Sequence, residues 1–283
     1  MRLLAALLLA VALAGCGGGD EAAPTGPGTG TSPETTEPTT TDAEPTTLRV
    51  YFVRDERVGV AIRELEATEA VAAASLRALL EGPTAEERAA GLSTQVPSGT
   101  RLLGVTIADG IATIDLSEEF QSGGGSASML ARVAQVVYTA TQFPTVERVA
   151  FRIEGEPVEA IGGEGVSVSP PVGRGDFEDQ TPAILVESVA PGQEVSSPLR
   201  VTGTANTFEA TLMLRIVDAN GRELFDNFFT ATSGSGTRGT FEATLTFDIE
   251  TEGPGTLVAY ESSAEDGSEI HVVRIPVELR RGS

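Results

Sequence analysis

The chain has 283 residues and a formal net charge of −22 at pH 7, with 41 acidic side chains against 19 basic ones. An acidic surface of this kind repels phosphate backbones and anionic lipid head groups, so we predict no binding to nucleic acid. The chain contains one cysteine, Cys16, and one histidine, His271. This composition excludes a disulfide framework and a metal site built from Cys and His, and we predict no cofactor.

The first 16 residues have the pattern of an export signal. Arg2 precedes the apolar run Leu3–Leu13, which is too short to span a bilayer, and a small-residue cleavage site follows. A cysteine directly after Ala14-Gly15 is typical of bacterial lipoproteins, so we interpret 1–16 as a lipoprotein signal peptide and lipobox. Cys16 is then the lipid attachment site. The alternative is an ordinary signal peptide that a cysteine follows by chance.

A lipid on Cys16 predicts where the protein is located. Each buried methylene contributes about 0.8 kcal/mol, and two or more acyl chains give stable attachment where one does not. We therefore expect a membrane-anchored lipoprotein on the extracytoplasmic face of the cell membrane. Residues 17–47 are rich in Thr, Pro and Gly and have no apolar periodicity, which predicts a disordered tether.

The next segment, 48–169, begins with alternating strand and helix patterns. A short strand over 48–53 precedes a predicted helix over 69–81, for which Thr68 is the expected cap. Thr84 and Glu87 then have the spacing of a capping box for a second, short helix.

A β-hairpin is the clearest local prediction in this segment. Asp109-Gly110 is typical of a two-residue type I′ turn between two alternating strands. The turn pairs Ile107 with Ala112, Val105 with Ile114, and Leu103 with Leu116. This register predicts that all six side chains lie on one buried sheet face.

The segment closes with a helix and a strand. A Gly-rich loop, 123–125, leads into a helix over 127–142 whose polar residues Arg132, Gln135 and Thr139 are predicted to face solvent. A strand containing Val149, Phe151 and Ile153 follows. The predicted order is β-α-β-β-α-β, an α+β domain with its helices on one sheet face.

The remainder of the chain has a different period. Residues 170–182 are rich in Pro, Gly and acidic side chains and predict an interdomain linker. From 183 to 283 the apolar residues alternate with period two, with turn signals at Asn220-Gly221 and Asp266-Gly267. Seven short strands predict an immunoglobulin-like β-sandwich, over 184–189, 199–205, 209–217, 223–231, 239–248, 256–262 and 270–278.

Sequence motifs in 48–169 resemble the GerMN domain, and their order along the chain is that of the family. The matching residues are Glu81-Gly82-Pro83, Gly91-Leu92, Val96-Pro97, Gly99-Thr100, Asp109-Gly110, Ile114-Asp115-Leu116-Ser117 and the run from Gln135 to Pro144, followed by Val146, Val149 and Phe151.

The second half is similar to the immunoglobulin-like domain associated with bacterial spore germination. The matching residues are Val195-Ser196-Ser197-Pro198-Leu199, Val201, Gly203 and the run from Ala205 to Thr211. The resemblance implies an envelope protein without known enzymatic activity and supplies no catalytic residues. It also implies that the 48–169 domain has the fold of ring-building modules, and self-association of this domain is one expectation.

Three polar residues have side chains of the types found in hydrolase active sites. A nucleophilic hydrolase needs a base beside its nucleophile, but His271 shares the parity of an apolar strand and is interpreted as structural. Glu118 and Glu119 have the residue types of a glycosidase pair, yet adjacent residues point apart, and a solvated turn is favoured.

Three further loops contain residues that could in principle bind a ligand. Asp218-Ala219-Asn220-Gly221 and the acids Glu265, Asp266 and Glu269 have the residue types of cation ligands, but hairpin turns explain them better. The loop 123–125 precedes a helix, as phosphate loops do, without the required spacing or a basic residue.

These observations predict a lipid-anchored, non-enzymatic cell-envelope protein of the sporulation and germination type. Its expected role is a protein-interaction or assembly scaffold, with the membrane, through the lipid, and envelope proteins as partners. A lipoprotein that binds cell-wall glycan is the alternative, and an enzyme acting on the wall is a weaker one.

Overall fold

The computed structural model describes residues 46–65, 68, 70–163 and 165–282. The predicted signal peptide with Cys16, and almost all of the predicted 17–47 tether, lie outside these residues. Within the described ranges, no helix combines the length and apolar character needed to cross a bilayer.

The first half is an α+β domain, as the sequence predicts. An antiparallel pair, β1 and β2, accompanies a sheet of order β3-β4-β5-β6, in which β4 and β5 run parallel. The elements are β1 Thr46–Arg54, β2 Arg57–Leu65, α1 Val71–Leu80, α2 Ala85–Ala89, β3 Leu102–Ala108, β4 Ile111–Leu116, α3 Ser126–Ala140, β5 Arg148–Ile153, β6 Glu156–Pro157, β7 Ala160–Ile161 and β8 Val166–Ser167. The second strand, β2, was not predicted.

Helix starts in this domain show one correct prediction and one wrong one. The Thr84–Glu87 capping box forms in both directions: the Glu87 amide donates to Thr84 Oγ1 at 3.1 Å, and the Thr84 amide donates to Glu87 Oε2 at 2.7 Å. Thr68 does not cap α1. Ala70 occupies the cap position, and Thr68 Oγ1 accepts the Ala70 amide at 3.2 Å instead.

The predicted hairpin forms around Asp109-Gly110, and both residues have positive φ. Ile107 pairs with Ala112 and Val105 with Ile114, which confirms that part of the register. Leu116 pairs with Leu102 rather than Leu103, because a bulge lies between Leu102 and Gly104. The prediction of six buried side chains is wrong as well. Since β3 is an edge strand, Leu103 and Ile107 are 45% and 43% exposed.

Helix α3 also departs from the prediction that its polar residues face solvent. Arg132, Gln135 and Thr139 are all buried. The Tyr51 amide donates to Thr139 Oγ1 at 3.1 Å, and the Tyr51 carbonyl accepts from Gln135 Nε2 at 3.3 Å. One turn further, Gln142 exchanges hydrogen bonds with the Arg49 backbone at 3.0 and 2.7 Å. The polar side of α3 therefore supplies the partners that a further strand would give to β1.

The second half is the expected immunoglobulin-like sandwich. A five-stranded sheet of order β10-β16-β15-β12-β13 packs on a three-stranded sheet of order β14-β11-β9, with an aliphatic and Phe core between them. The strands are β9 Ile184–Val186, β10 Glu194–Val195, β11 Leu199–Ala205, β12 Thr211–Asp218, β13 Glu223–Thr230, β14 Gly239–Leu245, β15 Gly253–Ser262 and β16 Glu269–Leu279. Hairpins form at Asn220-Gly221 and Asp266-Gly267, as predicted.

One strand belongs to both halves. Ile184 and Val186 of β9 lie in the core of the sandwich, whereas Leu185 between them packs into the core of the first half. The predicted linker contributes too, because residues Arg174–Gln180 form a 3-10 helix whose Phe177 is buried in that same first core. The two halves therefore share apolar packing across their junction. The exact domain boundaries stay a prediction.

Candidate functional site

Polar side chains converge where the first half meets the sandwich, and we call this contact the seam (Tyr51, Arg174, Glu187, Glu178 and Arg238). The Tyr51 hydroxyl donates a short hydrogen bond to Glu187. Arg174 donates to Glu187 Oε1 at 2.9 Å and to the Tyr51 hydroxyl oxygen at 3.1 Å. These bonds join β1, the 3-10 helix and the residue that follows β9.

Aromatic stacking completes this part of the seam. The guanidinium carbon of Arg174 lies 5.1 Å from the ring centroid of Tyr51 and 4.7 Å from that of Tyr138. Both tyrosines are buried, and their ring centroids are 5.5 Å apart. Arg174 also donates to Thr141 Oγ1 and to the Tyr138 carbonyl, at 2.9 and 3.2 Å. Its cation is thus enclosed by acceptors and ring faces.

The electrostatics of the seam oppose proton transfer from Tyr51. Burial, followed by the neighbouring Glu187 carboxylate, raises the pKa of Tyr51 well above its usual range. Burial alone lowers the pKa of Arg174, but Tyr51 and Glu187 outweigh it and raise the pKa above its ordinary value. Tyr51 therefore remains a hydrogen-bond donor and Arg174 a cation at any physiological pH. This arrangement suits structural cohesion and gives no activated nucleophile.

A second ion pair lies farther along the seam. Arg238 Nε is 2.9 Å from Glu178 Oε2, and the same guanidinium donates to the Pro182 carbonyl at 2.8 Å. Glu178 Oε1 accepts from Asn206 at 3.1 Å. Although burial raises the pKa of Glu178, its hydrogen bonds to Arg238 and Asn206 outweigh that effect and lower it. The carboxylate therefore stays ionised and ties the 3-10 helix to the sandwich.

A groove of about 510 Å³ opens beside the seam. Its walls come from the β1–β2 turn, the segment after the 3-10 helix, β9 and the start of β16. Apolar side chains and charged ones both line it, among them Val60, Ile184 and Ile275, and Arg57, Asp179 and His271. Concave surfaces with an apolar floor and a few polar groups are the usual form of binding sites.

His271 is the one predicted candidate that the structure places at this groove. It lies near the start of β16 with a φ of 53°, and half of its side chain is exposed. Its Nε2 is 3.8 Å from Glu261 Oε2, and Glu261 also accepts the Phe208 amide at 2.9 Å. The position matches the predicted rim of an apolar strand face, because Ile275 and Val277 of the same parity are buried.

The paired acids Glu118 and Glu119 lie in a 3-10 turn after β4, apart from the seam. Glu118 is exposed. Hydrogen bonding, first from the Ser117 side chain, lowers the pKa of Glu119. A glycosidase acid needs the opposite shift, because it must hold a proton at neutral pH.

The acidic hairpin tips bind their own chains. Asp218 Oδ1 accepts the amides of Asn220 and Arg222, both at 2.9 Å. Asp266 Oδ1 accepts from the Ser268 amide and hydroxyl, and this lowers the pKa of Asp266. Across the described ranges, no group of three or more His, Cys, Asp and Glu side chains is arranged to hold a metal ion.

The Gly-rich loop 123–125 is held by a buried arginine. Arg132 donates to the carbonyl oxygens of Phe120, Ser122 and Gly123 at 2.6, 3.1 and 3.0 Å, and to that of Gln95 at 2.8 Å. The Gly123 carbonyl of the loop and those of the residues before it thus point toward a cation. A phosphate site needs amide groups directed at the ligand instead.

The residues of the seam were not found by sequence reasoning. Arg174 and Glu178 lie in the segment that the sequence predicts as a linker. Tyr51 lies in a predicted strand to which the sequence analysis assigns no polar contact. The aromatic Phe177 was a usable signal in that linker segment, since flexible linkers consist mainly of Gly, Ser, Pro and charged residues. Cys16, the predicted lipid site, lies outside the described residues and stays a prediction.

Comparisons with known proteins agree with the two halves of the structure. A family model described as Germane, sporulation and spore germination, matches residues 49–159. A second model, the immunoglobulin-like domain of bacterial spore germination, matches residues 183–268. A comparison with curated proteins finds no match.

Solved structures from a sporulation protein are also similar. The first GerMN domain of the sporulation protein GerM from Bacillus subtilis is 27% identical, with a TM-score of 0.42 over 46% of this chain and 99% of that one. The tandem GerMN domains of the same protein are 17% identical, with a TM-score of 0.41 over 73% of this chain and 63% of that one. Together, the two family models show that the chain contains a Germane domain over residues 49–159, followed by an immunoglobulin-like domain of bacterial spore germination over residues 183–268.

Proposed function

We propose that this protein is a lipid-anchored, non-enzymatic scaffold of the cell envelope, which positions other envelope proteins outside the cell membrane. The observation that carries the proposal is the seam. The polar side chains of Tyr51, Arg174 and Glu187 are hydrogen-bonded to one another, and these bonds join two family-matched domains into one body. A body of this kind presents binding surfaces at fixed relative positions.

The sequence supports the location. The lipobox ending at Cys16 supplies an anchor, and the predicted 17–47 tether separates that anchor from the folded part. The net charge of −22 opposes close approach to an anionic membrane surface. The scaffold is then held near the membrane by its lipid while its domains remain available to partners.

Metabolic labelling with a fatty-acid analogue tests the anchor. In the producing organism, the wild-type protein should incorporate the analogue and fractionate with membranes. The Cys16→Ser variant should incorporate none, and mass spectrometry should locate the diacylglyceryl group on residue 16 of the wild type. A bare or uncleaved N-terminus in the wild type contradicts the lipid anchor.

Site-specific cross-linking on intact cells tests the scaffold role. A photo-reactive residue in place of Asp179, at the groove, should capture particular envelope proteins. The same residue in place of Glu252, which is exposed on the sandwich away from the groove, is the matched control. Enrichment on isolated cell wall without protein cross-links favours the glycan-binding alternative. Wall hydrolysis that Glu118→Gln or Glu119→Gln abolishes overturns the non-enzymatic role.

A further inference from the structure

Strand β3 is an edge strand without the usual protection against pairing. Its sequence, Leu-Leu-Gly-Val-Thr-Ile-Ala, contains no charged residue and no proline. Edge strands normally carry such residues because they block association with another chain. The edge strand of the five-stranded sheet, β13, follows this rule and contains Glu223 and Asp226.

The exposed apolar residues are concentrated on the same edge. Only four large apolar side chains are markedly exposed in the described part of the chain, and Leu103 and Ile107 are two of them. A two-residue hairpin closes on a hydrogen-bonded pair, here Ala108 with Ile111. The alternation of an antiparallel ladder then directs the backbone N–H and C=O groups of Val105 and Ile107 away from β4.

The edge is also self-complementary. If two copies of β3 pair antiparallel about a two-fold axis at Val105, Gly104 lies opposite Thr106 of the second copy, and the bulge between Leu102 and Gly104 ends the regular ladder there. Arg101, which precedes the strand, then lies at the same end of the pair as Asp109 of the second copy, which follows it. Both of these charged side chains are exposed, and the only described ion pair of Arg101 is a 4.0 Å contact with Glu154. A closed two-fold interface requires this reciprocal matching.

We propose that a second copy of this chain docks on β3, so that two four-stranded sheets join into one continuous sheet across a two-fold axis. The inference rests on the proposed scaffold role and names one partner for it. Charge supports a second copy at this place, because two molecules of net charge −22 approach most easily where both surfaces are uncharged and end in opposite charges.

Sedimentation velocity of the chain from Gly17 to Ser283 tests the proposal. This chain keeps every described residue and lacks only the predicted leader and Cys16. The wild type should form a dimer as its concentration rises, and Ile107→Arg should abolish the dimer by placing two charges at the new sheet junction. Phe228→Arg, at an exposed apolar position on the edge strand β13, should leave the dimer unchanged.

A mixing experiment separates docking from any effect on folding. Arg101→Asp alone brings two acidic pairs together, and Asp109→Arg alone brings two basic pairs together, so each should raise the dissociation constant on the order of tenfold. An equimolar mixture of the two variants restores opposite charges at both contacts and should dimerise like the wild type. A variant that fails to dimerise because it is misfolded stays monomeric in the mixture as well.

Disulfide trapping locates the axis. The Gly17–Ser283 chain has no cysteine, so Val105→Cys creates a single thiol that faces its own copy at a Cα separation of about 5.5 Å. Oxidation should link it, whereas Phe228→Cys should stay monomeric. A wild type that remains monomeric at all concentrations, or a dimer indifferent to Ile107→Arg, overturns the proposal. Cross-links to other envelope proteins on cells then still report separately on the scaffold role.

Discussion

Arg174 is the charged side chain on which the cohesion of the seam depends. Its side chain is 27% exposed and that of its partner Glu187 is 12% exposed, so water screens the pair only partly. Two further acceptors and two tyrosine rings surround the guanidinium. Loss of the carboxylate leaves a largely desolvated cation without a counter-ion, which is the costly way to break such a pair.

We expect Glu187→Gln to lower the free energy of unfolding by about 3 kcal/mol, measured by urea denaturation. The matched control is Glu242→Gln, which breaks the Arg200–Glu242 pair. Because both side chains of that pair are more than half exposed, its loss should cost less than about 1 kcal/mol. Equal losses in the two variants would show that the seam pair contributes no more than a surface contact.

The three tyrosines make a second prediction at the scale of single residues. Burial is the main cause that raises the pKa of each: Tyr51, Tyr138 and Tyr260. An ultraviolet titration of the native protein should therefore show tyrosinate forming at a higher pH than in the urea-unfolded chain, which titrates near the ordinary value of about 10. Tyrosinate formation in the native protein at that ordinary value would contradict the buried environments.

The same shift predicts how stability depends on pH. For Tyr51, the folded pKa lies above the unfolded one, so its stabilising contribution is complete below about pH 10 and is lost as the pH rises further. The free energy of unfolding should fall by up to about 1.4 kcal/mol per pH unit for each such tyrosine in that range. Tyr51→Phe should show a shallower decline in denaturation measured across this range.

At the scale of elements, α3 shows most clearly what a periodic pattern predicts and what it misses. The hairpin around Asp109-Gly110 was predictable because the turn residues and their neighbours decide it locally. The burial of Arg132, Gln135 and Thr139 was not, because their partners are backbone atoms of β1 and of loops far away in sequence. A helical wheel identifies polar residues, but it cannot distinguish solvent from a strand edge as their partner.

We expect Thr139→Val to destabilise the protein although valine has nearly the same shape as threonine. The substitution leaves the buried Tyr51 amide without its acceptor, which should cost about 2 kcal/mol in urea denaturation. Thr113→Val on β4 is the control, because no described hydrogen bond involves that hydroxyl and its backbone is already paired in the sheet. A Thr139→Val variant as stable as this control would show that the β1 edge does not need α3.

At the scale of the whole molecule, the two family-matched domains form one structural unit. Family boundaries and sequence periodicity both place a division near residue 183. Side-chain packing crosses this division, because Leu185 belongs to the first core whereas Ile184 and Val186 belong to the second. Sequence reasoning recovered both folds but not their junction, since alternation within a three-residue strand carries no information about which core each face meets.

This junction predicts cooperative unfolding. In hydrogen exchange followed by mass spectrometry, peptides from β1 and from β12 should lose protection at the same urea concentration. The Leu185→Ala/Glu187→Gln double variant should separate the two transitions, because it removes both the apolar and the ionic contact. Val201→Ala, which affects only the sandwich core, should lower stability without separating them. Two transitions in the wild type would show that the halves unfold independently.

Strand β9 also has a consequence for the order in which the chain folds. In a chain that emerges from its N-terminus, residues 46–169 precede Leu185, so folding of the earlier half before that point leaves a gap where that leucine and Phe177 belong. Only when the start of the sandwich has emerged does this nascent half reach its final packing. A chain that ends between the two halves should consequently aggregate and be cleaved readily by protease, rather than fold into a smaller functional protein.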